Sequence, residues 1–192
     1  MGKAEILKAI KANKPAELPV PPLDIRAGNG QDLLSLYQDR LEKGGGEVLT
    51  AKDMVEALQI IRERMGDYQY VAGVFEEINT MHLSQVTDPH ELELMDLAVF
   101  EGQLGVAENG AIWVNEEDLV HRVAPFITQH LVLLIREDRL LPDMHHAYKT
   151  LKEHDYGHGV FIAGPSKTAD IEQSLVIGAH GPKSLLVIVL RK

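Results

Sequence analysis

Two stretches of this chain are apolar with no polar interruption: Leu131–Ile135, inside His130–Ile135 (HLVLLI), and Leu185–Leu190 (LLVIVL). A strand with one face in water alternates apolar and polar side chains, so an unbroken run marks a strand covered on both faces. Strands of that kind belong to mainly parallel sheets with layers packed on either side. This one feature rules out most all-helical and single-layer arrangements.

The rest of the chain fits around it. Leu97–Phe100, Leu104–Ala107, Ala111–Val114 and Val160–Ala163 are shorter apolar runs separated by glycines, and Glu47–Thr50 is a further short strand. Asn109-Gly110 is a turn signal, giving a hairpin or a bend between two of these runs. Helical stripes recur at Leu33/Leu34/Tyr37/Leu41, Met54/Val55/Leu58/Ile61/Met65, Met144/Ala147/Tyr148/Leu151 and Ile171/Leu175. Gly44-Gly45-Gly46 ends the first of them. The expected class is α/β, a mainly parallel sheet with helices on both sides. Ahead of it, Ile6, Leu7 and Ile10 mark a short amphipathic helix, followed by the proline-rich PAELPVPP at Pro15–Pro22. The division expected is an N-terminal arm over 1–30 and one domain over 31–192.

Composition narrows the function. Hydrophobic residues make up 45% of 192 residues, enough for a core, and aromatics only 5%, so aliphatic side chains must fill it. A net charge of -10 without a Lys/Arg-rich run disfavours nucleic acid and anionic membranes as partners. There is no cysteine, which excludes disulfides and Cys-ligated zinc or iron–sulfur clusters in this chain. Met1–Lys14 is charged throughout and has no apolar run of signal-peptide or membrane-span length, so the expected compartment is the cytoplasm.

The segment Phe161–Pro182 (FIAGPSKTADIEQSLVIGAHGP) carries the most chemical information. A buried strand stops at Gly164-Pro165, and the chain is expected to enter a helix near Thr168, capped by Ser166 or Thr168. Asp170 and Glu172 then fall in the first turn, where they suit the helix dipole and discourage a phosphate. The loop reads either as helix capping or as a ligand site beyond a strand's carboxyl end.

This segment resembles the C-terminal signature of the LUD-domain family, close to the C-type lactate-utilisation proteins. The resemblance rests on Gly164, Pro165, Ser166, Lys167, Thr168, Ala169, Asp170, Ile171, Glu172, Gly178, His180, Gly181 and Pro182. It extends back to about Leu97 and is weak across Met1–Pro89. The resemblance implies a sugar-phosphate isomerase/CoA-transferase-like fold with a Rossmann-like sheet. It implies participation in oxidising L-lactate to pyruvate, beside partner proteins that carry iron–sulfur clusters, with no cofactor in this chain. A freestanding enzyme acting on a CoA ester or phosphorylated sugar, and a non-catalytic binding module, are the competing readings.

Glu108-Asn109-Gly110 is similar to the active-site turn of class I CoA transferases, where the glutamate is the nucleophile; the glycine-rich CoA loop of those enzymes is not visible here, and read on its residues alone the turn holds a solvated carboxylate that is expected to form no covalent intermediate. The candidate catalytic residues are therefore Glu108, Asp170 and His180. Asn109, Gly110, Gly164, Ser166, Lys167, Thr168, Glu172 and Gly181 are candidates for binding a small-molecule substrate. Glu108, Ser166, Thr168, Asp170, Glu172 and His180 are expected to converge at the carboxyl edge of the sheet, with the alternative for His180, which precedes the last strand, that chain direction puts it at the opposite edge. No metal is expected: His145-His146 and His154/His158 supply at most two ligands on one face. Trp113 and Phe161 are expected in the core.

Overall fold

The structure is a computed structural model that describes residues 2–15, 18, 32–152, 157–169, 175–178 and 180–191. In chain order its elements are α1 (Lys3–Ala12), α2 (Leu33–Lys43), β1 (Glu47–Ala51), α3 (Met54–Met65), β2 (Val71–Gly73) and β3 (Leu97–Glu101). There follow β4 (Leu104–Val106), β5 (Ala111–Asn115), α4 (Glu116–Leu119), α5 (Ala124–Ile127), β6 (His130–Arg136) and β7 (Leu140–Leu141). The remainder is α6 (Met144–Leu151), β8 (Gly159–Ile162), β9 (Lys167–Ala169), β10 (Leu175–Ile177) and β11 (Ser184–Leu190).

The two long apolar runs lie side by side. β6 and β11 pair in parallel, His130 beside Ser184 and Leu190 beside Arg136, within a five-stranded sheet of order β1-β11-β6-β3-β2. Every neighbouring pair in it is parallel. Successive side chains point to opposite faces. Leu131, Leu133, Ile135, Leu185, Val187 and Val189 enter one core, while Val132, Leu134, Leu186 and Ile188 enter another. That double burial is why neither run could alternate.

One face of the sheet lies under α3, through Ala57, Leu58 and Ile61. The other face carries a helix too, as expected of a mainly parallel sheet flanked by helices, and more besides. Besides α2, with Leu34, Tyr37 and Leu41, it carries a second sheet of order β7-β4-β5-β8. Within β5, Ile112 and Val114 face the main core, while Ala111 and Trp113 turn outward to meet Ala147 and Leu151 of α6. Trp113 is buried and packs on Phe161 with ring centroids 4.7 Å apart. Sandwiched between the parallel sheet and α6, β5 is buried at all five positions. Helices begin where acids cap them: Asp32 accepts from the Leu34 and Ser35 N–H groups, Asp53 from Glu56, and Asp143 from His146.

Two expectations fail near the end of the chain. The run Val160–Ala163 is not a parallel strand of the main sheet: β8 pairs antiparallel with β5, at the edge of the second sheet, and is only half-buried. No helix begins at Thr168 among the described residues. Lys167–Ala169 is a strand, β9, paired antiparallel with β10, so Leu175 belongs to a hairpin and not to a helical stripe. The β-branched Thr168, Val176 and Ile177 favour that geometry, and the Gly178 N–H donates to the Ser166 carbonyl at 3.0 Å, closing the hairpin at its base. Asp170, Ile171 and Glu172 lie outside the described residues, as does most of the proline-rich stretch.

Leu133 is fully buried in β6, between β3 and β11. Leu133→Ala is expected to lower unfolding free energy by about 3–4 kcal/mol through lost burial and the cavity left behind. Urea unfolding of the variant measures this as a lower midpoint; a loss under about 1 kcal/mol would contradict the packing described.

Candidate functional site: two glycine turns on the end of α2

The β4–β5 turn is fixed by its own backbone. The Gly110 N–H donates to the Val106 carbonyl at 2.9 Å, and Asn109 Oδ1 accepts from the Ala111 N–H at 3.0 Å. Gly110 has φ +70°, and a Cβ there would lie 2.7 Å from the Leu41 nitrogen. Both facts demand glycine. Glu108 is held from two sides: its N–H donates to the Pro142 carbonyl at 3.0 Å, and its Oε2 accepts from the Met144 N–H at 2.9 Å. Met144 opens α6, so Glu108 works beside Asp143 as a second acid on that helix's N-terminus. This geometry favours the turn-carboxylate reading of Glu108 over a free nucleophile.

The Gly164–Lys167 loop rests on the same helix end. Gly164 has φ +77°, a Cβ there would lie 2.6 Å from the Gly44 carbonyl oxygen, and Lys167 Nζ donates to that same oxygen. The Ser166 N–H donates to the Pro182 carbonyl at 2.9 Å, and Gly181 passes against the Ser166 side chain. Gly164, Ser166, Lys167, Gly178, Gly181 and Pro182 thus form one backbone-held knot, with His180 exposed beside it. The structure brings this knot and the Glu108-Asn109-Gly110 turn onto the last turn of α2. Thr168 sits in β9.

The expected place was the carboxyl edge of the sheet, and this is corrected. Pro182 leads into β11, and the Lys183 N–H donates to the Gln129 carbonyl, just before β6, at 2.8 Å. Ser166 and His180 therefore stand at the amino edge. The reason is direction: β8 runs against β5 and delivers its carboxyl end to the opposite side.

At the true carboxyl edge there is a cavity of about 650 Å³ that the sequence reading missed. It is lined by Glu101, Gln103, Asn115, Asp118, Arg136 and Arg139, among others. Gln103 Nε2 donates to Asp118 Oδ2 at 2.9 Å, and Arg136 meets Asp138 through two bonds of 3.2 Å. Mixed carboxylates and guanidinium groups beyond strand ends can hold a polar ligand. The available signal was that Glu101 and Arg136 are the first polar residues after their apolar runs. Among the described residues, no group of three His, Cys, Asp or Glu side chains is placed to hold a metal ion. His146 instead sits 2.8 Å from Asp143, inside the α6 cap.

His130 is a further titratable group at the amino edge. Its Nδ1 lies 2.7 Å from Ser184 Oγ, and its ring stacks on Tyr68 at 5.0 Å. Burial, aided by the Lys183 charge and opposed by Asp96, holds its pKa below the ordinary value.

The comparisons with known proteins agree with this architecture. Residues 88–190 match the LUD domain family model, which is more than half of the chain, and the chain belongs to that family. A protein named Lactate utilization protein C from Oceanobacillus iheyensis is 28% identical over 105 residues, 51% of this chain and 45% of that one. The protein of that name from Bacillus pumilus is 32% identical over 91 residues, 44% of this chain and 38% of its own length. The chain therefore spans less than half of either. An uncharacterized Neisseria meningitidis protein is 26% identical over 161 residues, 82% of this chain and 66% of that one. The crystal structure of a DUF162 family protein from Deinococcus radiodurans superposes with a TM-score of 0.65 at 19% identity, covering 82% of this chain and 96% of that one, which shows the shared fold.

Two outcomes are expected here. Glu108→Ala should cost about 1 kcal/mol of stability, as loss of a helix cap does, and Glu108→Gln should recover part of it; equal melting temperatures for all three proteins would contradict the capping role. For His130, a depressed folded pKa means the unfolded chain takes up the proton first. The stability it contributes is complete above about pH 6.5 and is lost as pH falls toward the folded value. His130→Asn should flatten the fall in melting temperature between about pH 7 and pH 5.5; an identical pH profile would refute the assignment.

Proposed function

We propose that this chain is the component without an iron–sulfur cluster in an L-lactate utilisation system, acting in the cytoplasm beside iron–sulfur partner proteins that carry the electrons from lactate to its oxidised product, pyruvate. The observation that carries the reading is the membership of residues 88–190 in the LUD domain family, together with the names of the C-type relatives. The absence of cysteine supports the division of labour, because no Cys-ligated cluster can form in this chain. Among the described residues no helix is long and apolar enough to cross a membrane, in keeping with a role outside the bilayer.

In this reading the motif knot is the functional surface. His180, exposed at the bend before β11, and Asp170 are the residues proposed to meet substrate or partner. Ser166, Lys167 and Gly181 shape that surface, while Glu108, Asn109 and Gly110 position α2 and α6 beneath it. The carboxyl-edge cavity is a separate place, where Arg139 offers a guanidinium to a second small carboxylate.

Deleting the gene is expected to abolish or severely slow growth on L-lactate while leaving growth on pyruvate intact. Complementation by the parent should restore it, and by His180→Ala or Asp170→Asn should not. Normal growth of the deletion strain on L-lactate would overturn the proposal. The chain purified without oxygen is also expected to be colourless; stoichiometric iron with broad visible absorption would contradict its place in the system.

A further inference from the structure

Among the described residues, one helix and one groove each present an apolar face with nothing on it. α1 carries Ile6, Leu7 and Ile10 at spacings of three and four, a single stripe, and none of its residues is buried. Lys3, Lys8 and Lys11, with Lys14 just beyond, face only one acid in the helix, Glu5. In a chain of net charge -10 this segment is basic.

The groove lies between α5 and a 3-10 turn at Pro89–Leu94, which pack against each other. Its volume is about 640 Å³, and Pro89, Val120, Val123 and Ile127 line it, with Glu93 among them. Phe126 and Leu94, on the same two segments, are exposed as well. An exposed patch of this kind marks an association surface.

Val120 sharpens the point. It has φ +57° and ψ -54°, in a tight turn where the His121 N–H donates to the Leu119 carbonyl at 2.5 Å. A β-branched residue there stores strain on the order of 1–3 kcal/mol. Glycine would relieve it. The turn instead holds a valine that is 59% exposed at the mouth of the groove. Such strain is worth keeping where the side chain has something to touch.

Charge selects the occupant. The 3-10 turn and its cap carry Asp88, Glu91 and Glu93, of which Glu93 lines the groove, while the basic groups on the groove wall are engaged elsewhere: Arg122 with Glu116, His90 with Asp88, and His121 with the Leu83 carbonyl. An apolar groove rimmed by acids complements a basic amphipathic helix, and α1 is one. Within a single chain α1 leaves its stripe in water. We propose that α1 of one copy seats in the Val120 groove of a second copy, and that the exchange is reciprocal. The residues from Asn13 to Asp32 join α1 to α2, and about 20 residues of chain reach up to roughly 65 Å when extended. Specific interfaces begin at about 1,200 Å² of buried surface, and a reciprocal exchange doubles the area that one helix–groove contact alone would bury.

Sedimentation velocity and light scattering of the full chain across a hundredfold range of concentration test this. A monomer–dimer equilibrium is expected. Leu7→Glu/Ile10→Glu should weaken the dimer by about tenfold or more, and both positions are exposed, so folding is spared. Val120→Gly should weaken it similarly while leaving the melting temperature of the monomer unchanged or higher, an outcome a folding defect cannot imitate. Glu93→Lys should weaken it, with partial recovery when combined with Lys11→Glu. A monomer at every concentration overturns the proposal, as does a dimer indifferent to these variants. A monomer in which α1 is protected from hydrogen exchange and loses that protection in Val120→Gly also overturns it, in favour of α1 folding onto its own groove.

Discussion

At the last turn of α2 the main chain at Leu41 and Gly44 is met by two other stretches of backbone, at Gly110 and Gly164, with no room for a side chain between them. Close backbone approach is a property that glycine alone provides. Lys167 then caps the Gly44 carbonyl from the second of these stretches. The consequences spread outward from there. Gly46 leads into β1 and Pro182 into β11, so one contact sets the starting points of two strands that pair over the whole of β1. The Gly110 side of the same contact fixes the β4–β5 turn, and through Glu108 and Met144 it fixes the start of α6. The signature residues thus align three layers at one end of the molecule.

The parts of the fold that could be read from the sequence were those whose burial is uniform or strictly periodic. β6 and β11 declared themselves because both faces are covered, and α2, α3 and α6 because one face is. Asp32, Asp53 and Asp143 sit where caps belong. What could not be read was strand direction. β5 is as apolar as a parallel strand because it too is sandwiched, and periodicity does not report the orientation of neighbours. The hairpin of β9 and β10 was hidden for another reason: Thr-Ala-Asp-Ile-Glu after a Gly-Pro-Ser turn is sound helix-start chemistry locally, and its pairing with Val176 and Ile177 is the stronger preference.

The motif was legible as a set of neighbouring residues and not as a place. Gly164, Ser166, Gly178, Gly181 and Pro182 are joined in space as their order along the chain implied. Their address depended on β8, and assigning β8 to the wrong sheet reversed the edge. The carboxyl-edge cavity escaped notice because its lining comes from four stretches far apart in the sequence, around 101–104, 115–118, 136–141 and 150–151, none of which carries a motif by itself.

The place of β11 in the sheet carries a consequence for how the molecule is made. It lies between β1 and β6, so Glu47 waits beside a gap until Leu186 fills it. Strand pairing over that separation in sequence is slow, because loop closure precedes any gain from contact. While a ribosome is still delivering the chain, β1 and β6 present two unpaired parallel edges rich in leucine and valine. Such edges invite mispairing with other nascent chains. The latest strand of this sheet in sequence is therefore the one that closes it, and the interval before it arrives is when the sheet is most exposed to aggregation.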